Sequence, residues 1–488
     1  MATTRVLAID QGTTNTKAVL FEPDGTMVTR ASRPLASTYP RDGWAEQDAG
    51  DIWESVRAVL ADIVAQAGAE GIAGLAIANQ RETLVTWDAE THRPIAPAIL
   101  WQCRRTTEDC AALNASGRAT RVQELTGLGI NPLFPASKLA WVFRNVPEAR
   151  ELLAQGRLRA GTVDSWLLWN LTDGASFATD HSNASRTQLF DTGCLAWSEE
   201  LGELFGAPIS VLPEPHPSDS RFGELGDRTA LPPGTPVLAM MGDSHAALYG
   251  HGVRGPGIVK ATYGTGSSLM ALTPGRIASR HGLSGTIGWS TRAGGVAYAI
   301  EGNITVSAQA AAFAASLLGL PDAAVLSDLA QTVESSEGVT FVPALAGLGA
   351  PHWSDAARGT IAGLTLGSKP AHVARATLEA IALQIADVLA AMEQDIGQRL
   401  SSLRADGGAS ANSFLMQIQA DLLDRPVHRG EVAEVGAIGV ATMAFEALGL
   451  RVTGGEGRTT TFAPAMDPCR REAVQKGWRS ALAQVLGS

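Results

Sequence analysis

The first thirty residues alternate short apolar runs with polar turns. Residues 6–9 and 18–21 are apolar, and a polar stretch separates them. Apolar runs of this length, bounded by turn residues, are typical of strands. Val6 to Ser32 therefore predicts three antiparallel strands, with turns at Gly12 and at Asp24-Gly25. We expect Gly12 to adopt the positive φ that glycine tolerates in a tight turn.

Helical periodicity follows and then alternates with further strands. Asp51 to Gln66 places apolar residues on one helical face, and Ile72 to Ala78 is a run of small apolar residues. Two further helices are predicted, one from Thr305 to Leu318 and a long one from Ala371 to Ile396. Strands that alternate with helices indicate a layered α/β fold. In such folds ligands bind beyond the carboxyl ends of the strands.

The polar stretch after the first strand carries groups that bind phosphate. A tight turn directs backbone N–H groups, hydroxyls and an ammonium at one point. The candidate phosphate ligands are Thr13, Thr14, Asn15 and Lys17. Asp10, at the strand end, is placed to face a magnesium ion that bridges phosphates. A plain hairpin with a polar tip fits this single motif equally well.

Two later turns repeat this pattern. Gly257 to Met270 has a strand, a Gly-Thr-Gly turn centred on Thr265, a hydroxyl and a second strand. Asp406 to Ser410 is a turn of small residues that opens a helical segment, Asn412 to Leu423. Small residues would let a flat ring such as adenine lie against the backbone. The three turns together predict two related halves that hold one polyphosphate.

The chain as a whole resembles the FGGY carbohydrate kinases, and glycerol kinases most closely. The matching blocks include residues 10–17, 79–83, 101–106, 242–243, 263–266, 359–379 and 406–409. A further signature around Pro135, Lys138 and Trp141 matches except at Leu133. The resemblance implies two actin/hexokinase-like (ribonuclease H-like) α/β domains with a cleft between them. We place these domains at residues 1–248 and 249–488.

The resemblance also implies a catalytic and a polyol-binding set. Asp243 would be the general base, although an aspartate after a buried strand and a glycine is commonly a helix cap. Arg81 and Glu82 would hydrogen-bond hydroxyls of the polyol, whereas the plain alternative is a surface ion pair. Trp101 would line the pocket instead of a core. The expected polyol-binding residues are Arg81, Glu82, Trp101, Leu133, Asp243 and Ser244.

For the nucleotide, the resemblance implies ATP with Mg²⁺. The phosphates would be held by Thr13, Thr14, Asn15, Lys17 and Thr265. The adenosine would lie near Gly408, Ala409 and Asn412. Magnesium would be coordinated by Asp10, directly or through water.

Several positions depart from the glycerol kinase pattern. Leu133, Ser244 and Ser268 stand where a tyrosine, a glutamine and an aromatic residue are expected. Each change removes side-chain volume, so we expect a roomier polyol pocket. Ala308 and Ala312 stand where a glycine and a glutamine are expected, which puts the adenine contacts there in doubt.

Composition narrows the function classes further. The 488 residues are 45% hydrophobic and 18% charged, an ordinary globular balance with room for two cores. The net charge is -11 without a basic stripe, which argues against nucleic acid or an anionic membrane as partner. The four cysteines lack metal-ligand spacing, so we interpret them as reduced thiols. With neither a signal-peptide pattern nor an apolar run of about 18 residues, a cytoplasmic protein is expected.

The sequence therefore predicts an ATP-dependent kinase of a small polyol, glycerol or a slightly longer polyol such as a tetritol. A pentulose or other sugar kinase of the same family is the alternative enzyme. An actin- or chaperone-like nucleotide-driven binding protein is the non-enzymatic alternative, and the sugar-kinase blocks at 79–82 and 101–105 disfavour it. We further expect a homo-oligomer, either a dimer or a tetramer.

Overall fold

The computed structural model describes residues 4–430, 434–452 and 459–487. The chain divides into two compact units that are discontinuous in sequence. Unit 1 comprises Met1–Val253, Gly285–Ala299 and Glu434–Gly455, and unit 2 comprises Arg254–Ser284, Ile300–Ala433 and Glu456–Ser488. The domain boundary between residues 248 and 249 stays a prediction, since each of the two units defined by contacts consists of several segments of the chain.

Unit 1 is built on a six-stranded sheet. Its strands lie in the order Gly223–Glu224, Pro236–Gly242, Ile72–Asn79, Arg5–Gln11, Asn15–Phe21 and Met27–Pro34. The three N-terminal strands pair in antiparallel fashion, which confirms their prediction. The strands that end at Gln11 and Gly242 both run parallel to the one that ends at Asn79 and are in register with it at that end. The residues that follow these three strands therefore meet at one edge of the sheet.

Two helices pack on this sheet and fix its edge. Ala49–Ala67 buries the apolar face that its periodicity predicts, and the Asp48 side chain caps its first turn. Val435–Ala447 packs on the three parallel strands and on helix Asp243–Gly250. The Cβ of a residue larger than glycine at position 436 would lie 3.9 Å from Asp10 Oδ2. The fold thus brings a helix N-terminus to the strand edge.

The other elements of unit 1 surround this sheet. Its further helices are Thr107–Ala115, Ala119–Thr126, Pro135–Asn145, Pro147–Ala154, Val163–Leu171, His181–Ala184 and Glu199–Phe205, with a 3₁₀ turn at Ile209–Val211. Its further strands are Glu46–Gln47, Val85–Asp88, Ala98–Ile99, Leu158–Gly161, Ala178–Asp180, Phe190–Asp191, Ala196–Trp197, Glu214–His216 and Ser284–Ser290.

The sheet of unit 2 repeats the plan. Next to strand Val296–Ile304, the strands of this sheet follow in the order Ser267–Leu272, Ile258–Tyr263, Ser402–Asp406, Val427–Gly430 and Thr459–Phe462. The first two of these form the predicted antiparallel hairpin, and Ile258–Tyr263 is parallel to Ser402–Asp406. The remaining elements are strands Thr340–Val342 and Thr360–Ala362, helices Gln309–Leu317, Ala323–Gln331, Pro370–Ile396, Ser413–Leu423 and Pro468–Leu486, and a 3₁₀ turn at Gly408–Ala411.

Two local predictions need correction. The φ of Gly12 is not positive. Its N–H donates to the Asn15 carbonyl at 2.9 Å, and a Cβ at position 12 would lie 3.2 Å from that oxygen. Glycine at position 12 therefore allows the close approach of the Asn15 carbonyl to the backbone. The helix expected from Thr305 begins only at Gln309, because the Ser307 N–H donates to the Thr265 carbonyl at 2.9 Å.

Among the helices within the described ranges, none combines the length and the apolar character that a bilayer span requires.

Helix packing in unit 1 should depend on a glycine contact. A Cβ at Gly439 would lie 1.8 Å from the backbone oxygen of Ala246. We expect Gly439→Ala to lower the free energy of unfolding of unit 1 by about 1–3 kcal/mol, the usual cost of overpacking. Gly477→Ala is the matched control, since a helical Cβ there meets Thr340 Oγ1 at an ordinary 3.4 Å. Calorimetry in which both variants melt like the wild type would contradict this.

Candidate functional site

Asp243 lies at the strand edge of unit 1 as the first residue of helix Asp243–Gly250. The N-cap of that helix is Gly242, so Asp243 is not its cap. The Asp243 carboxylate accepts hydrogen bonds from Arg81 Nε at 3.1 Å and from its neighbour's N–H, that of Ser244, at 2.6 Å. Its side chain is 43% exposed. A carboxylate that is oriented yet open to solvent can accept a proton from a bound molecule.

Arg81 and Glu82 form part of a buried ion network and are not a surface pair. Both residues are buried, and Arg186 Nε donates to Glu82 Oε1 at 2.6 Å. The Arg81 side chain crosses Gly242, where a Cβ would lie 2.7 Å from Arg81 Cδ. Charges withdrawn from water in this way persist only when they are paired. The guanidinium of Arg81 and the carboxylate of Glu82 are thus held beside Asp243.

Asp10, at the same edge, has a strongly raised pKa. Burial raises the pKa of its carboxyl to about 7; Lys17 lowers it, and the nearby Asp243 and Glu434 raise it. A cation would relieve this repulsion and favour the charged carboxylate. The described residues contain no cluster of three or more His, Cys, Asp or Glu that could hold a metal ion. Carboxylates such as Asp10 and Asp243 fit Mg²⁺, which commonly takes one or two of them together with phosphate oxygens and water.

The turn after strand Arg5–Gln11 and the start of the next strand carry the candidate phosphate ligands of unit 1. Thr14 and Asn15 are exposed, and Thr13 Oγ1 accepts from Trp101 Nε1 at 3.0 Å. Lys17 is not free in this structure, because its Nζ donates to Glu434 Oε2 at 2.7 Å. Its charge is therefore shared with a buried carboxylate. Sequence reasoning did not find Glu434, since it is far from the turn along the chain.

A layer of glutamines lies beneath that turn. Gln80 Nε2 donates to Gln11 Oε1 at 3.2 Å and to Gln47 Oε1 at 3.1 Å. Gln47 Nε2 in turn donates to the Thr13 carbonyl at 2.6 Å. All three glutamines are buried. They fix the backbone of the turn, and only the position of Gln80 at a strand end gave a sequence signal for this.

The other expected polyol residues of unit 1 also lie near this edge. Trp101 is 39% exposed, so it is not a core aromatic. The backbone carbonyls of Trp101, Glu82 and Leu133 are all hydrogen-bonded by one buried side chain, that of Lys138. Ser268 belongs to unit 2, where its hydroxyl donates to Glu301 Oε1 at 2.8 Å.

In unit 2 the two predicted turns follow adjacent parallel strands. Thr265 is exposed at the tip of its hairpin. A Cβ at Gly266 would lie 2.4 Å from the Ile304 carbonyl oxygen. Gly407 has a φ of 86°, and a Cβ there would lie 2.6 Å from the Tyr263 carbonyl oxygen. Glycine is thus required at both turns for close backbone approach.

A cavity of about 500 Å³ opens beside the third turn. Gly408, Ala409, Asn412 and Ala308 line it, whereas Ala312 does not. The Asn412 side chain also caps helix Ser413–Leu423, since its Oδ1 accepts from the Phe414 N–H at 3.0 Å. A concave site of this volume with small apolar walls is typical of small-molecule binding. The three residues expected near the adenosine thus lie around one cavity, and their role in nucleotide binding stays a prediction.

Comparison with known proteins identifies the family. The model of the FGGY family of carbohydrate kinases, N-terminal domain, matches residues 5–250, and that of the C-terminal domain matches residues 259–448. The chain belongs to the FGGY family of carbohydrate kinases. It is therefore a kinase that transfers phosphate to an alcohol group, with the two-domain actin/hexokinase-like fold that its sequence predicts.

Individual relatives cover nearly the whole chain. A glycerol kinase of Symbiobacterium thermophilum is 45% identical over 99% of this chain and 98% of that protein. An apulose kinase of Pectobacterium atrosepticum is 45% identical over 92% of this chain and 90% of that protein. The crystal structure of Plasmodium falciparum glycerol kinase with ADP superposes with a TM-score of 0.94 at 29% identity, over 99% of this chain and 98% of that one.

The cavity of unit 2 can be tested by filling it. We expect Ala409→Leu to raise the dissociation constant for ATP about tenfold, because steric overlap of about 1–3 kcal/mol is typical of overpacking. Ala411→Leu is the control, since Ala411 is exposed and outside the cavity lining. Calorimetric titration with ATP checks both variants. Equal affinities for the two variants would show that the nucleotide does not use this cavity.

Proposed function

We propose that this protein transfers a phosphoryl group from ATP to a primary hydroxyl of a small polyol, glycerol or a tetritol. The observation that carries the proposal is the Asp243 carboxylate, oriented by Arg81 at 3.1 Å and still open to solvent. It lies at the same strand edge as Asp10 and the Thr13 turn. The full-length similarity to glycerol kinases supports glycerol as the leading substrate.

Proton transfer is assigned to Asp243. Phosphoryl transfer requires an acceptor for the hydroxyl proton and a precise position for the attacking oxygen. Arg81 orients one oxygen of Asp243, so the other oxygen is available to a bound hydroxyl. Arg81 also offers donors, and Glu82 offers acceptors, to hydroxyls that need both. Trp101 would give the carbon chain an apolar wall.

Each unit contains candidate nucleotide ligands of its own. In unit 1 these are the turn residues Thr13, Thr14, Asn15 and Lys17. In unit 2 they are Thr265 and, for the adenosine, the cavity residues Gly408, Ala409 and Asn412. Asp10 would hold a magnesium ion bound with the phosphates, and that ion would neutralise charge on the transferring group.

A pentulose or another sugar is the second candidate substrate. The relative named an apulose kinase has the same 45% identity as the glycerol kinase of Symbiobacterium thermophilum, but over 92% instead of 99% of this chain. Leu133 and Ser244 are smaller than the tyrosine and the glutamine of the glycerol kinase pattern, which favours a substrate larger than glycerol. One added methylene usually changes discrimination by only about 1–3 kcal/mol, so glycerol and longer substrates can both be accepted.

Cytoplasmic location and homo-oligomeric assembly remain part of the proposal. All four cysteines are free thiols, and Cys103 and Cys110 are buried. Free thiols are typical of a reducing compartment.

The general base is tested by Asp243→Asn. Loss of a general base typically lowers turnover by about 100- to 10,000-fold, and we expect ATP binding to remain nearly intact. Asp62→Asn is the control, since Asp62 is partly exposed and pairs, within the described ranges, with Arg33. A coupled ADP-release assay measures turnover. A loss of less than tenfold for Asp243→Asn would refute the assignment of the base.

The substrate is tested by kcat/KM for tetritols against glycerol. Because three side chains near the expected pocket are small, we expect erythritol or threitol to be used at least as efficiently as glycerol. Leu133→Tyr should restore volume and lower the tetritol-to-glycerol ratio. A wild-type ratio well below one would mean that other side chains fill the space and that glycerol is the preferred polyol.

A further inference from the structure

Lys138 is a buried cation that the proposed chemistry does not use. It lies in the first turn of helix Pro135–Asn145 and is fully buried. Its Nζ donates to the Leu133 carbonyl at 2.7 Å, the Glu82 carbonyl at 3.2 Å and the Trp101 carbonyl at 3.4 Å. An ammonium has three N–H donors, so each is matched to one backbone acceptor.

The three carbonyls come from three separate segments of unit 1. Each segment contributes one residue that we expect to contact the polyol: Glu82, Trp101 and Leu133. Glu82 follows strand Ile72–Asn79, Trp101 follows strand Ala98–Ile99, and Leu133 precedes the helix of Lys138. One side chain therefore connects three walls of the expected pocket.

The hydrogen bond from Lys138 to Glu82 holds a residue whose backbone is strained. Glu82 has a φ of 59°, a strained conformation for a residue with a side chain, which persists only where its surroundings hold it. Lys138 holds its carbonyl, and Arg186 holds its carboxylate at 2.6 Å. Two buried cations thus fix one residue of the pocket from both ends.

We propose that Lys138 is a positioning residue that sets the shape and the polyol selectivity of this pocket by fixing the backbones of Glu82, Trp101 and Leu133. Its ammonium touches backbone carbonyls and not the substrate. The identity of the ligand rests on the proposed function, whereas the hydrogen bonds by which Lys138 connects the three segments do not depend on it. Loss of the ammonium would release three segments at once, and the binding of the polyol would weaken while the nucleotide sites stay intact.

The charge of Lys138 is balanced by few groups. Burial lowers the pKa of its ammonium to about 7; Cys103, Glu82 and Cys110 raise this pKa, and Arg105 lowers it. A neutral amine has two N–H donors and would leave one of the three carbonyls without a partner. Lys138 should therefore donate to all three carbonyls well below pH 7, and one of these hydrogen bonds should be lost as the pH rises through that value.

The test compares Lys138→Met with Lys260→Met. Lys260 is an equally buried lysine on strand Ile258–Tyr263 of unit 2, and its Nζ has no hydrogen-bond partner among the described residues. For Lys138→Met we expect the KM for the polyol to rise at least tenfold and the KM for ATP to change less than twofold. The tetritol-to-glycerol ratio of kcat/KM should move toward one. Lys260→Met should leave the KM for the polyol within twofold.

A folded Lys138→Met variant whose polyol KM and selectivity match the wild type would overturn the inference. If that variant does not fold, Lys138→Gln supplies the second measurement, and a polyol KM and selectivity in it that match the wild type would overturn the inference. Absence of polyol phosphorylation by the wild type would instead refute the proposed function.

Discussion

The register of three parallel strands is the constraint on which the site of unit 1 depends. Gln11, Asn79 and Gly242 are neighbours across the sheet, so the residues that follow them share one edge. A shift of one residue would turn each side chain to the opposite face. This register brings Asp10 and Asp243 close enough for their charges to interact, although more than two hundred residues separate them in sequence.

A concentration of carboxylates at one edge would be unstable without compensation. Unit 1 supplies cations and amides for this purpose. Arg81 pairs with Asp243, Arg186 pairs with Glu82, and Lys17 pairs with Glu434. These partners leave Asp243 partly exposed, whereas burial raises the pKa of Asp10 to about 7, so its carboxyl is partly protonated at neutral pH. A phosphate-bound cation at this edge would favour the charged carboxylate of Asp10.

Unit 2 has a similar arrangement of parallel strands, but the chemical character of its residues is different. Parallel strands again end in glycine-rich turns, but the residues beside them are small and mostly apolar. Gly407 permits a backbone approach that no side chain would allow, and five alanines are among the residues that line the cavity beside it. One topology thus carries a charged edge in unit 1 and an apolar cavity in unit 2.

The sequence by itself determined the strands, the long helix, the three glycine turns and the candidate residues that follow strand ends. These features are local: apolar periodicity and turn chemistry act within about ten residues along the chain. Only the tertiary structure decided that Lys17 pairs with Glu434, that Lys138 holds three loops, and that Asp243 is not a helix cap. These facts depend on contacts between segments far apart in sequence, or on the φ and ψ of single residues, which no local pattern encodes.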